Sequence, residues 1–301
     1  MSLLKQFWEF LLKLLAFIVA LFRYLLGLKK RARCACPNPP PLKKPDPFLY
    51  CQYFLMALGY PVTWDNPDIF VFEGLVLVDP HQLKANTQYT VVARVWNSSV
   101  FVPVIHLNVA FFYLSFGMGT QSHAIGTSWT DLGVKGLADC PAYASIYWTT
   151  PATLGHYCIQ VLLEPPDDSN WLNNLGQRNI FVTQPQSPAV FSFSVGNHVG
   201  PRVRNVRFTI DAYTIPPLLA CDDRRAGIDR TRAVSKVAPS VPEGWTVVLT
   251  PGSLQLAQGE EQQVQAEITP PPGFSGSMPI NVTGWDANGP VGGVTLTVEV
   301  P

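Results

Sequence analysis

Catalysis needs a nucleophile beside a base, a pair of carboxylates in a cleft, or a set of metal ligands. The residues able to supply these are thinly spread in this chain of 301 residues. Its five histidines, His81, His106, His123, His156 and His198, stand far apart. His156 follows Gly155 at the start of an expected strand, where a structural hydrogen bond accounts for it. No GxSxG, P-loop or HExxH pattern occurs, so the chain reads as non-enzymatic and without a cofactor. The densest group of hard oxygen donors is DDSNWLNN at 167–174. Asp167, Asp168 and Asn170 there form a candidate calcium site, with Asn173 and Asn174 beside them, because calcium takes carboxylate and amide oxygens. The spacing is not that of an EF-hand, and Asn and Asp also favour turns for backbone reasons, so a plain turn is the competing reading. Asp65, Asn66 and Asp68 in TWDNPDI read as a capped turn. The six cysteines, Cys34, Cys36, Cys51, Cys140, Cys158 and Cys221, contain no CxxC and no Cys/His ladder for zinc. Cys140 and Cys158 fall at the two ends of an expected hairpin, where a cross-strand disulfide and two buried thiols are both open. Trp64, Trp129, Trp148, Trp171, Trp245 and Trp285 offer either a sugar-stacking platform or core aromatics.

The elements that must position these residues are strands. Hydrophobic residues make up 47% and charged residues 14% of the chain, with 28 Pro and 22 Gly scattered between short apolar runs, which is the composition of an all-β protein with many turns. Lys+Arg and Asp+Glu both number 21, so no net field draws the chain to nucleic acid. From residue 69 the strand patterns are IFVFEGLVLV, QYTVVARVWN, VIHLNVAFFYLSF, AYASIYWTT, HYCIQVLLE and RNIFVT. From about 188 they are VFSFSV, VRFTIDAY, WTVVLTP, LQLAQGEEQQVQAEITP, INVTGWD and VTLTVEV. Strands at this spacing predict two tandem immunoglobulin-like β-sandwiches, one over 46–184 with a short N-terminal helix ended by Gly59, the other over 185–301. A charged insertion at 218–242, weak in periodicity, reads as a long loop of the kind that carries function.

Ahead of both lies a hydrophobic N-terminal helix. Residues 10–28, FLLKLLAFIVALFRYLLGL, would rise through roughly 28 Å, enough to cross a bilayer. Phe10, Leu14, Phe17, Ile18, Leu21 and Phe22 supply the anchor, and Lys29, Lys30 and Arg31 its basic flank. Lys5, Glu9, Lys13 and Arg23 fall within an arc of roughly 80°, with Ala16, Ala20 and Gly27 on the same side. That stripe suits a spanning helix whose small residues pack on a partner, and it equally suits a helix lying in the headgroup plane. No small-x-small cleavage site follows, so a signal peptide is disfavoured. The chain is thus expected to have an anchor and basic flank at 1–33, a Pro-rich neck at 34–45 and a membrane location. The basic flank puts the sandwiches in the cytoplasm by the positive-inside rule, whereas such β-modules are commonly exported, and the side stays open.

Particular residues carry a family likeness. The strand ending in Trp96-Asn97, the W-x-x-P-x-x-x-G-H run at 148–156 and the acidic, Asn-rich turn DDSNWLNNLGQRN at 167–179 resemble the bacterial CARDB-type (cell-adhesion-related) immunoglobulin-like domain. Cys158 and the long aromatic strand at 111–116 depart from it. Residues 242–300, with PEGWTVVLTPGSLQLAQGEEQQVQAEITPP and VGGVTLTVEV, are similar to the NEW3-type sandwich found beside some bacterial glycosidases. These resemblances imply adhesion, scaffolding or accessory binding and name no ligand. The expected function is a membrane-anchored scaffold whose partners are membrane lipid and protein, a second copy of the chain included. The alternative is an outward-facing adhesion or carbohydrate-binding module.

Overall fold

The structure is a computed structural model that describes residues 44–115, 117–182, 190–198, 200, 202–215 and 240–300, all within one compact unit, Leu42–Pro301. The expected anchor and flank, with Phe10 to Arg31 and the face of Ala16, Ala20 and Gly27, lie outside the described residues, as do most of the Pro-rich neck and of the 218–242 insertion. Among the described residues no helix is long and apolar enough to cross a membrane.

Among the described residues the architecture is all-β, in four sheets. The first has the order β1 (Pro47–Phe48), β4 (Gln88–Asn97), β2 (Ile69–Glu73), β3 (Val76–Leu77), with β8 (Ala142–Thr149) also paired to β4. The second runs β10 (Leu175–Val182), β9 (Gly155–Glu164), β5 (Val104–Ser115), β7 (Ser122–Leu132). Between them lies one core, in which Tyr89, Val91, Ala93 and Val95 of β4 meet Val109 and Phe111 of β5 and Ile159, Val161 and Leu163 of β9. The period of two along β2 and β4, every second side chain turned into this core, and the facing sheet on its other side make this a sandwich.

The third sheet runs β13 (Thr246–Thr250), β15 (Glu261–Thr269), β11 (Val190–Gly196), β6 (Gly117–Met118); the fourth runs β14 (Ser253–Ala257), β12 (Val203–Asp211), β16 (Gly276–Asp286), β17 (Gly289–Val300). Phe191, Phe193, Val264, Ile268, Val282 and Leu296 fill the second core. β6 belongs in sequence to the first sandwich, between β5 and β7, yet pairs in parallel with β11 of the second at Ser194 and Val195.

Two sequence patterns read as single stretches are each two strands. Residues 69–78 fold back at Gly74 (φ +61°) as a hairpin of β2 and β3, whereas 254–270 turn at Gly259 (φ +82°) from β14 of the fourth sheet into β15 of the third; at both positions only a residue without Cβ takes the left-handed turn at no cost. The helix expected over 45–59 is shorter, α1 (Gln52–Ala57), because Pro47 and Phe48 instead pair with Asn97 and Trp96. The Cys51 thiol caps α1 by accepting from Phe54 N, and Gly59 (φ +80°) follows its end. The segment beyond β1 then straps the free edge of β10. Gln52 Nε2 donates to Gln177 O and its Oε1 accepts from Gln177 N, so one side-chain amide imitates a neighbouring strand. Asn179 N donates to Trp64 O and Phe181 N to Pro80 O further along the same edge. An edge so covered cannot pair with another chain.

Candidate functional site at the junction of the sandwiches

The strap that closes β10 also reaches the second sandwich. Trp64 is fully buried (0% exposed), its Nε1 donating to Thr283 Oγ1 at 3.2 Å and its backbone N to Thr295 Oγ1 at 2.9 Å. β17 admits the indole because residue 293 is glycine: a Cβ there would collide with the Trp64 ring. From this contact a buried polar chain continues. Thr295 Oγ1 donates to Asn281 Oδ1 (2.8 Å), and Asn281 Nδ2 donates to Asp211 Oδ1 (2.8 Å) and Tyr213 O (2.9 Å). Each link satisfies a polar atom that would otherwise be desolvated without a partner.

Two further contacts fasten the junction. Met118 of β6 and Phe181 of β10 are both members of the second core although they come from the first sandwich. Beside Phe181 lie His81 and His156, and His156 also meets Phe191 of β11 at 6.0 Å between ring centroids. Burial holds the His156 imidazole neutral, pushing it down to about 3, with His81 acting in the same direction. Burial likewise lowers His81, against the opposing pull of Asp65 and Asp79.

At the side of this junction opens a cleft of about 470 Å³. Met56 and Tyr60, from the end of α1 and the strap, face Thr209, Ile210 and Asp211 of β12 and Trp285 of β16 across it. Trp285 Nε1 donates to Thr209 Oγ1 (2.9 Å), which fixes the indole.

The residues singled out in the sequence are placed as follows. Asp167 pairs with Lys44 (2.8 Å) on the surface. Asp168 accepts from Asn170 N through Oδ1 (2.9 Å) and from Asn174 Nδ2 through Oδ2 (2.7 Å), so its carboxylate organises the turn; Asn173 Nδ2 reaches across to buried Asp46 (2.9 Å). Among the described residues no group of three or more His, Cys, Asp and Glu is placed to hold a metal ion. Cys140 and Cys158 are separate buried thiols, which removes the disulfide alternative, and burial pushes Cys158 up to about 12. The six tryptophans named above form no common platform: Trp64 is at the junction, Trp148 in the first core, Trp245 against the second core, Trp285 in the cleft, and Trp129 and Trp171 are exposed. The polar chain through Thr295, Asn281 and Asp211 escaped the sequence reading, since Asn281 and Thr283 alternate with apolar neighbours as solvent-facing residues do. The doublet Gly292-Gly293 inside a strand was the available signal that another group approaches there.

No family model matches the chain, and no curated protein matches it. Solved structures similar to parts of it include a CARDB domain from Pyrococcus furiosus, at 19% identity over 40% of this chain and 97% of that one, TM-score 0.27. Others are the Yersinia pseudotuberculosis adhesin InvE (11% identity, 73% of this chain and 57% of that one, TM-score 0.20) and the D0-D1 domain of Intimin (8%, 78% and 98%, TM-score 0.23). At such identities and TM-scores none of these likenesses carries an argument, and the architecture stands on the sheets and cores of the chain itself.

Proposed function

We propose that this chain is a non-enzymatic, membrane-anchored binding protein whose two immunoglobulin-like sandwiches, CARDB-like and NEW3-like in sequence, act as one fixed unit for protein–protein assembly. The observation that carries this reading is the junction. A bead-on-string pair of domains is joined by a small, polar interface, whereas here Met118 and Phe181 of the first half are packed in the second core and Trp64 is buried against β16 and β17. Such burial fixes the separation and angle of two binding surfaces. Residues 1–33 would supply the lipid contact. A second reading, an outward-facing adhesion module, is favoured by Trp129, Tyr143, Tyr147 and Trp171, each more than half exposed on the first sandwich, since aromatic side chains dominate recognition surfaces.

Fractionation of cells expressing the full chain, or the chain from residue 34 onward, tests the anchor. The full chain should sediment with membranes and resist alkaline extraction, and the shorter one should not. Recovery of the full chain in the soluble fraction contradicts the proposal. Protease added to intact cells separates the two readings: a protected C-terminal region fits the scaffold, and digestion fits the outward-facing module.

A further inference from the structure

The cleft beside the junction contains a carboxylate that no ion pair among the described residues balances. Asp211 Oδ1 is fixed by Tyr213 N and by Asn281 Nδ2, both at 2.8 Å, while Oδ2 has no hydrogen bond among the described residues. Burial outweighs these two hydrogen bonds and raises the Asp211 carboxyl above the ordinary carboxylate value. Other well-buried carboxylates are matched: Asp68 pairs with Arg94, Asp286 with Arg204. Asp46 has no cation among the described residues either, but it is enclosed at 4% exposure beneath Asn173. Asp211 lines the cleft, and no Lys, Arg or His is among the cleft's described lining residues.

We propose that this cleft is a binding site for a cationic organic group, an alkylammonium or a guanidinium, seated on the Asp211 carboxylate with Tyr60 and Trp285 as aromatic walls. A half-buried carboxylate gains most from a partner that brings the opposite charge into the same desolvated space, because attraction there is far less screened than in water. Aromatic rings add to this for a cation lying within about 6 Å of a ring centroid. Met56 and Ile210 offer an apolar surface for the attached carbon chain. A volume of about 470 Å³ lies within the roughly 300–1,000 Å³ range of small-molecule sites. A bare divalent cation is poorly served, since one carboxylate is far from the six or more oxygens that calcium takes. A neutral sugar would use the aromatic walls but not the charge.

The site names the ligand chemistry of the binding function proposed above, and it rests on that reading only in that the chain binds rather than reacts. Calorimetric titration of the full-length protein in a non-ionic detergent is the test, with n-butylammonium, N-acetyl-lysine methylamide, N-acetyl-arginine methylamide and glucose as probes. The cationic probes should bind saturably with one site per chain. Asp211→Asn, which keeps the shape of the side chain and its contact with Tyr213 N, should weaken them at least tenfold. Lowering the pH through the raised Asp211 value should release them. Trp285→Leu is the second variant should the first fail to fold, and it should weaken the same probes severalfold. Tighter binding of the amino-acid amides than of butylammonium identifies a protein side chain as the natural source, and the reverse order identifies a small amine. Absence of saturable binding by every cationic probe, equal binding by a folded Asp211→Asn variant, or glucose binding that this variant leaves unchanged would overturn the proposal. A chain that proved not to be membrane-bound would leave these titrations as they are, so the two readings fail separately.

Discussion

At the scale of single residues, the first sandwich is fastened by buried polar side chains as much as by its apolar core. Asn97 is nearly inaccessible, and its amide makes four hydrogen bonds: Oδ1 accepts from Asp46 N and Ser99 N, and Nδ2 donates to Val102 O and Gly133 O. These partners come from the N-terminal strap, the β4–β5 loop and the end of β7, so one side chain ties three segments. Asn97→Ala would leave four backbone groups unpaired, and each such group costs about 1–3 kcal/mol when buried. A loss of roughly 3 kcal/mol or more is the expected outcome, seen as a lower urea midpoint; a change within error would mean that water replaces the amide. The Trp96-Asn97 pair was legible in the sequence as a motif. Its role was not, because Asp46 and Gly133 are remote in the chain. The same holds for Asp68, which accepts from Arg94 Nε (2.9 Å) and Trp96 Nε1 (3.1 Å) across two strands.

At the scale of elements, strands with strict alternation were legible almost to their ends: β4, β5, β8 and β9 match the patterns QYTVVARVWN, VIHLNVAFFYLSF, AYASIYWTT and HYCIQVLLE. β7 was not, since SHAIGTSWTDL has only Leu132 buried and its pairing with β5, rather than its own hydrophobicity, makes it a strand. β6 was illegible for a related reason: two residues become a strand only because β11 lies beside them. Elements from both halves also enclose His81 and His156, and this has a pH consequence. Both are held neutral by burial, so their folded values lie below the unfolded value of about 6.5. The unfolded chain then binds more protons, and stability falls as pH drops below about 6.5, continuing for His156 toward about 3. For His156 the loss at pH 5 is about 2 kcal/mol. Asp65, Asp79, Arg178 and Glu299 also face His81, with the carboxylates opposing its depression. Asp46 and Asp211, both raised by burial, work in the opposite sense at lower pH. Thermal melts between pH 7 and 5 should show a steeper fall for the native chain than for His156→Leu. Parallel curves would mean that the histidines titrate freely.

At the scale of the whole molecule, the junction decides whether the two sandwiches behave as one body. Its cost to a mutational path is visible in Gly293 and Gly117, where any Cβ would strike the Trp64 indole or the Ser194 backbone respectively. Sequence patterning could count the two sandwiches because each has its own inward-facing residues. It could not reveal their fusion, because Trp64, Met118 and Phe181 look like ordinary core residues of the half they belong to. Chains with two domains commonly unfold in separate steps, and two sandwiches of which one lends buried residues and a paired strand to the other should not. Differential scanning calorimetry of the full-length protein in non-ionic detergent measures this directly. One transition is expected for residues 42–301, with calorimetric and van't Hoff enthalpies that agree. Two resolved transitions, each with the enthalpy of one sandwich, would contradict it.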